Sequence, residues 1–415
     1  MSVSVPARTK GKAPPGEQDL LLKLAMRRIF WGMNYATRIN LKLAIPGRGR
    51  AADELTDVDV VGFSTAVDFS LRLLIADCKS SSKVSPAGRV FWLAGVRDFF
   101  AADRAYVVLQ RGVPAGASEA AGRLGIDVLA EDDRKILENV HSPHAPAAPF
   151  FEVDGVMRLQ RLASDLDKKL EPLVRFREHD FWALPEERRL QRLIVELRRA
   201  APTLDITQTS HRLLAVDLLF LFAVAVLGAC RFISSTALAN PREALLIYLL
   251  GGPEQTRTRR RQLSDLETTM RQLGGTVPAD VFSALKLEPA YFDALSETAA
   301  RFLRRPRDAQ RILRFLEWWA QAQVGLGAPS ATKLGLGYAE YTRKLVSDLA
   351  RTCFEAAGLG PEWIKLADEA GNGHGDASDD TRDRVAAAVV SASDASPSAD
   401  HASDADETGP QLRLP

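Results

Sequence analysis

Asp59, Asp77 and Lys79 sit in or at the end of two apolar runs, "TDVDVVGF" and "LRLLIADCK". A strand about to be buried does not usually carry an acid and a base side by side, because an unpaired buried charge is expensive. Side chains alternate across a strand, so Leu73, Ile75, Asp77 and Lys79 share one face. Asp59 lies in the preceding run, and the same alternation puts Asp57 on its face as an alternative. Adjacent strands would let Asp59 and Asp77 converge at one strand end. Two carboxylates brought together repel, and a divalent cation removes the repulsion. Mg²⁺ (or Mn²⁺) takes oxygen ligands and is commonly held by one or two carboxylates, with water and a substrate phosphate completing its shell. Lys79, two residues beyond Asp77, could then orient a water and stabilise charge on the phosphate. The residue types and spacing therefore fit metal-dependent phosphodiester hydrolysis.

The elements that must position these residues can be read from hydrophobic period. "EQDLLLKLAMRRIFW" predicts an amphipathic helix opening at Glu17. "YATRINLKLAI" alternates and predicts a strand, followed by the two strands that carry the acids. Then come a helix over "GRVFWLAGVRDFFAA", a strand at "RAYVVLQ", a helix over "PAGASEAAGRLG" and a strand at "IDVLAE". Three successive strands followed by alternating units predict an α/β core with a mixed sheet. The division expected is a disordered leader (1–16), an α/β domain (17–140), a proline-rich linker (141–150), an all-α domain (151–366) and a disordered acidic tail (367–415).

Asp59, Asp77 and Lys79, in that element order, resemble the restriction-endonuclease-like PD-(D/E)XK nuclease superfamily. Asp59 matches its first acid, and Asp77 and Lys79 in "IADCK" match its second acid and lysine. Glu17 matches the helix glutamate that many members place near the metal. The order α-β-β-β-α-β is that superfamily's core. The strand–helix–strand stretch "RAYVVLQRGVPAGASEAAGRLGIDVLAEDD" is similar to the type IV restriction and Holliday-resolvase branch. The resemblance covers residues 17–135, about a third of the chain. Val58 stands where the superfamily's name has proline. The resemblance implies an endonuclease hydrolysing DNA phosphodiester bonds, in defence against foreign DNA or in repair, with Asp59 and Asp77 as metal ligands, Lys79 orienting the water and Glu17 as a further acid. The alternative is a non-catalytic nuclease-fold scaffold that binds through its helical domain.

The rest of the chain bounds the setting. Residues 367–415 hold eleven acidic and three arginine residues, so the remainder carries 51 basic and 42 acidic residues, a charge of +9. That permits a polyanionic partner such as DNA without requiring one. "RTRRRQ" and "RFLRRPRDAQRILR" are basic clusters that can neutralise phosphates or simply end solvated helices. "EWW" (317–319) reads as helical core. The three cysteines are scattered and the six histidines have no metal-ligand spacing, which disfavours a disulfide framework or zinc site and fits a reducing cytoplasm. "LLAVDLLFLFAVAVLGAC" (213–230) is long and apolar enough for a membrane span. Its Asp217 and the helices around it favour a buried core helix, and membrane association is not expected. The helical domain also offers a surface for a homo-oligomer or a protein partner.

Overall fold

The computed structural model describes residues 15–45, 53–81, 85–141, 151–236, 238, 240–272, 287–323 and 340–372. The leader as far as residue 14, most of the proline-rich linker, the tail from residue 373 and a helix expected over 278–286 lie outside the described residues. The first half runs α1 (Pro15–Gly32), β1 (Ala36–Ile45), β2 (Asp53–Thr65), β3 (Leu71–Lys79), α2 (Pro86–Phe100), β4 (Arg104–Leu109), α3 (Ala115–Leu124), β5 (Asp127–Leu129) and α4 (Glu131–His141). The five strands form one mixed sheet in sequential order. β1, β2 and β3 are antiparallel, whereas β3, β4 and β5 are parallel and joined by α2 and α3. This is the α-β-β-β-α-β order read from the sequence.

Each face of the sheet has its own cover. Leu22, Met26, Ile29 and Phe30 recur on one stripe of α1 and pack on Val60, Leu74, Ala76, Cys78, Tyr106 and Val108, with Leu137 of α4 beside them. The other face, with Val61, Phe63, Leu73, Ile75 and Val107, meets Val90 and Leu93 of α2 and the helices of the second half. α2 starts at a clear stop–start signal: Ser85 Oγ accepts from Gly88 N at 3.2 Å and Pro86 takes the first helical position. The last residue of α1 is Gly32, where a Cβ would lie 1.9 Å from the His141 carbonyl oxygen at the end of α4, so only glycine allows this approach.

From residue 151 on, every described secondary-structure element is a helix. Hydrophobic period predicts one helix over "VMRLQRLASDLDKKLEPLVRF" (156–176). Instead, Val153–Ser164 stops at Asp165, and short helical pieces lead to Phe181. A helix at Phe292–Arg304 was not expected, and the last helix, Pro361–Asn372, continues into the segment assigned to the acidic tail. The apolar helix at Thr209–Ser235 has an 18-residue stretch of mean hydropathy 2.6, and 94% of that stretch is buried. Its Asp217 pairs with Arg38 of β1 and, at 3.4 Å, with Arg177.

The α/β and helical segments share one apolar core. Phe63 of β2 stacks on Trp182 at 5.1 Å and meets Phe220 edge-on at 5.6 Å. A buried polar clamp adds to this. Glu317, 1% exposed, accepts from Arg27 Nη2 at 2.8 Å, from Thr37 N at 2.6 Å and from Thr37 Oγ1 at 2.6 Å. The "EWW" helix thus holds α1 and β1 through its glutamate, while Trp319 is buried. Glu317→Ala removes the carboxylate from buried Arg27, which keeps its Nε bond to Thr37 Oγ1, and should cost about 3 kcal/mol, the lower end of the range for breaking a buried pair. The check is a urea melt, with Glu317→Gln losing less; an unshifted midpoint for the alanine variant would mean the clamp does not join the two layers.

Candidate active site

The site forms where β2 leaves β3. Their ladder runs from Thr65↔Leu71 to Val60↔Ala76, while β2 stays paired with β1 as far as Asp53. One step past the last β2–β3 pair stand Asp59 and Asp77. There the Cys78 N–H is taken by Asp59 Oδ2 at 2.7 Å, a side-chain acceptor in place of a strand partner. The β1–β2 ladder also steps over this point, from Ile39↔Val60 to Leu41↔Val58. Asn40, opposite Asp59, has φ of +56°, a left-handed conformation that asparagine tolerates better than most residues. Side-chain alternation breaks here, since Val60 packs on the α1 side of the sheet and Val58 on the other.

Two buried carboxylates meet at this break. Asp59 is 4% exposed and Asp77 is 2% exposed. Lys79 Nζ lies 3.0 Å from Asp59 Oδ2 and 3.2 Å from Asp77 Oδ1, so both acids reach one cation position. A second cation comes from the α1 layer: Lys23 Nζ lies 2.7 Å from Asp59 Oδ1 and donates to Asn40 Oδ1 at 2.6 Å. A third comes from α2. Arg89 grips Asp77 with both arms of its fork, Nε donating to Oδ2 at 2.7 Å and Nη2 to Oδ1. Its guanidinium carbon is 3.8 Å from the Trp92 ring centroid.

Burial pushes the Asp59 carboxyl upward, but the Lys23 hydrogen bond and charge, the Lys79 charge and the Cys78 N–H outweigh it and hold the group below its ordinary range. Asp59 therefore stays ionised around neutral pH. Burial lowers Lys79, yet the charges of Asp77 and Asp59 overcome it and raise the ammonium above its usual value. Cys78 is driven well upward by burial and then by both carboxylates, so its thiol stays protonated and is no nucleophile.

The structure brings Asp59, Asp77 and Lys79 together. Asp57 is exposed and faces Lys42 across the β1–β2 ladder, away from the lysine that joins the other acids. Glu17 is exposed at the start of α1 and makes no ion pair among the described residues. The α1 acid that touches the site is Asp19, whose Oδ1 accepts from Ser80 N at 2.8 Å just past Lys79. Lys23, Arg89 and Asp19 were not singled out from the sequence. The spacing of Asp19 and Lys23, one helical turn apart, was a signal for a shared helix face; Arg89 had none, because its partner lies across a loop.

Among the described residues no group of three or more His, Cys, Asp or Glu gathers around a cation position. A metal at this site would have two protein carboxylates, all-oxygen donors reaching a common point, which fits Mg²⁺ or Mn²⁺ completed by water and phosphate. A separate cleft of about 370 Å³ lies between β1 and the helical layer, lined by Arg27, Thr37, Arg38, Asn40 and Asp217 among others. It does not include either carboxylate, and Arg38 and Asp217 there are already paired. Comparison of the chain with family models, with curated proteins and with solved structures found no match.

Proposed function

We propose that this protein is a metal-dependent endonuclease that hydrolyses DNA phosphodiester bonds at the β2–β3 break. The observation that carries the reading is the Asp59–Lys79–Asp77 cluster: two buried carboxylates on one ammonium, at the splayed ends of adjacent strands in an α-β-β-β-α-β sheet. Asp59 and Asp77 would hold Mg²⁺ or Mn²⁺. Bound there, the ion would supply a Lewis acid for a phosphoryl oxygen and acidify water. The protein's own part follows from its groups. Asp59 keeps its charge because Lys23 and the Cys78 N–H hold it. Lys79, raised by the acids, donates to the attacking water's oxygen or to the developing charge on phosphate. Burial of both acids keeps the pair close to a common point and limits competing solvent.

A second reading, a non-catalytic nuclease-fold module acting through its helices, has one observation in its favour. Each carboxylate oxygen of the pair already has a cationic or N–H partner from the protein. One assay separates the two. Purified protein is incubated with supercoiled plasmid and linear duplex, with Mg²⁺ or Mn²⁺ and with EDTA. Nicked or linear product with the metal and none with EDTA is the expected result. Intact DNA under every divalent condition favours the binding module, and cleavage that persists in EDTA refutes the metal mechanism.

A further inference from the structure

We propose that Arg89 is a phosphate ligand of this site, parked on Asp77 until a divalent cation takes that carboxylate over. The proposal rests on the metal-site reading above and concerns a residue that reading does not use. Asp77 is a single negative charge held by two cations, the Arg89 fork and Lys79. A metal ion arriving at Asp77 competes with both. The two cations are not equally free to leave. Lys79 also pairs with Asp59 and keeps that carboxylate if it loses Asp77, whereas Arg89 holds only Asp77 of the two acids and rests on Trp92. Turning about that stack, the guanidinium can leave Asp77 without leaving the mouth of the site.

Once Asp77 binds metal, the planar fork of Arg89 faces the site with no acceptor. Phosphate offers the geometry the fork just lost, two oxygens side by side. Metal binding therefore prepares Arg89 for phosphate, and phosphate keeps Arg89 off the metal's ligand. Such coupling is reciprocal: each ligand raises the affinity for the other by the same factor. The charges agree with this order. Lys23, Lys79 and Arg89 balance Asp59, Asp77 and the adjacent Asp19 before any metal enters, and a divalent ion then leaves the site positive, which suits a polyanionic substrate.

The test measures Mn²⁺ binding by the electron paramagnetic resonance signal of the free ion, for the whole protein, with and without a short phosphorothioate duplex. In the parent the duplex should tighten Mn²⁺ binding. In Arg89→Ala, Mn²⁺ alone should bind about tenfold more tightly, and the duplex should no longer raise the affinity. Arg89→Lys keeps the charge and loses the fork, so it should bind Mn²⁺ with an intermediate gain and also lose the coupling. It decides the matter if the alanine variant fails to fold. If the parent binds Mn²⁺ and neither variant binds it more tightly, the exchange is refuted and the metal site stands. If the parent binds no Mn²⁺, the exchange falls together with the nuclease reading.

Discussion

Asp77→Ala should lower divalent-dependent DNA cleavage by roughly three orders of magnitude while the fold persists. The substitution removes one of the two carboxylates that, among the described residues, reach the common cation position. It also leaves Arg89 and Lys79 with one anion fewer, but both are partly exposed and can turn to water, so the loss in stability should be small. Asp59→Asn should have a similar effect on cleavage, because the amide keeps the size and the Cys78 N–H acceptor but loses the charge. Lys79→Ala leaves both acids and removes the donor between them, and should cost on the order of 10²–10³ in rate. Initial rates on plasmid, with circular dichroism as the check on folding, decide the matter. Cleavage by all three variants at the parent's rate would assign the activity to another site and reduce the cluster to a structural ion-pair network.

The second large effect is on the fold. Leu219→Arg, in the middle of the Thr209–Ser235 helix, should prevent the protein from folding. Leu219 is fully buried, and its neighbours Phe220 and Phe222 are packed in the same core that receives Phe63 of the sheet. An unpaired charge there costs several kcal/mol, against a total stability of about 5–15 kcal/mol for a typical domain. Loss of the cooperative thermal transition is the expected readout. The parent should also be recovered without detergent, since the helix is enclosed by protein and its Asp217 is neutralised by Arg38 and Arg177. A variant that melts like the parent, or a parent released from membranes only by detergent, would show that this helix lies elsewhere.

Much of the architecture was legible in the residues alone, because it depends on local period and composition. The apolar run "LRLLIADCK" matched β3 end to end, and the element order from the first helix to the last strand followed from turns and hydrophobic runs. Pairing Asp59 with Asp77 was equally legible, since consecutive antiparallel strands fix which ends meet. Asp217 announced its own need for partners, because a lone acid in so apolar a helix must be neutralised.

What only the tertiary structure decided is how the site is held. Alternation treated Asp57 and Asp59 as equivalent, and it failed where Asn40 turns left-handed and both strands change face. That break arises from long-range contact: Lys23 on α1 reaches across to Asn40 and Asp59, residues that no sequence period links to it. Arg89 joins Asp77 only because α2 folds back over that face of the sheet, and Asp19 displaces Glu17 beside Lys79 because α1 docks at one angle and not another. The boundary expected at the proline-rich segment separates stretches of chain but not apolar cores, because the sheet's second face is completed by helices far away in sequence. Local propensity and period specify which segments become strands and helices. Burial of the remaining apolar faces, and the need to pair every charge trapped between them, specify which side chains end up sharing a site.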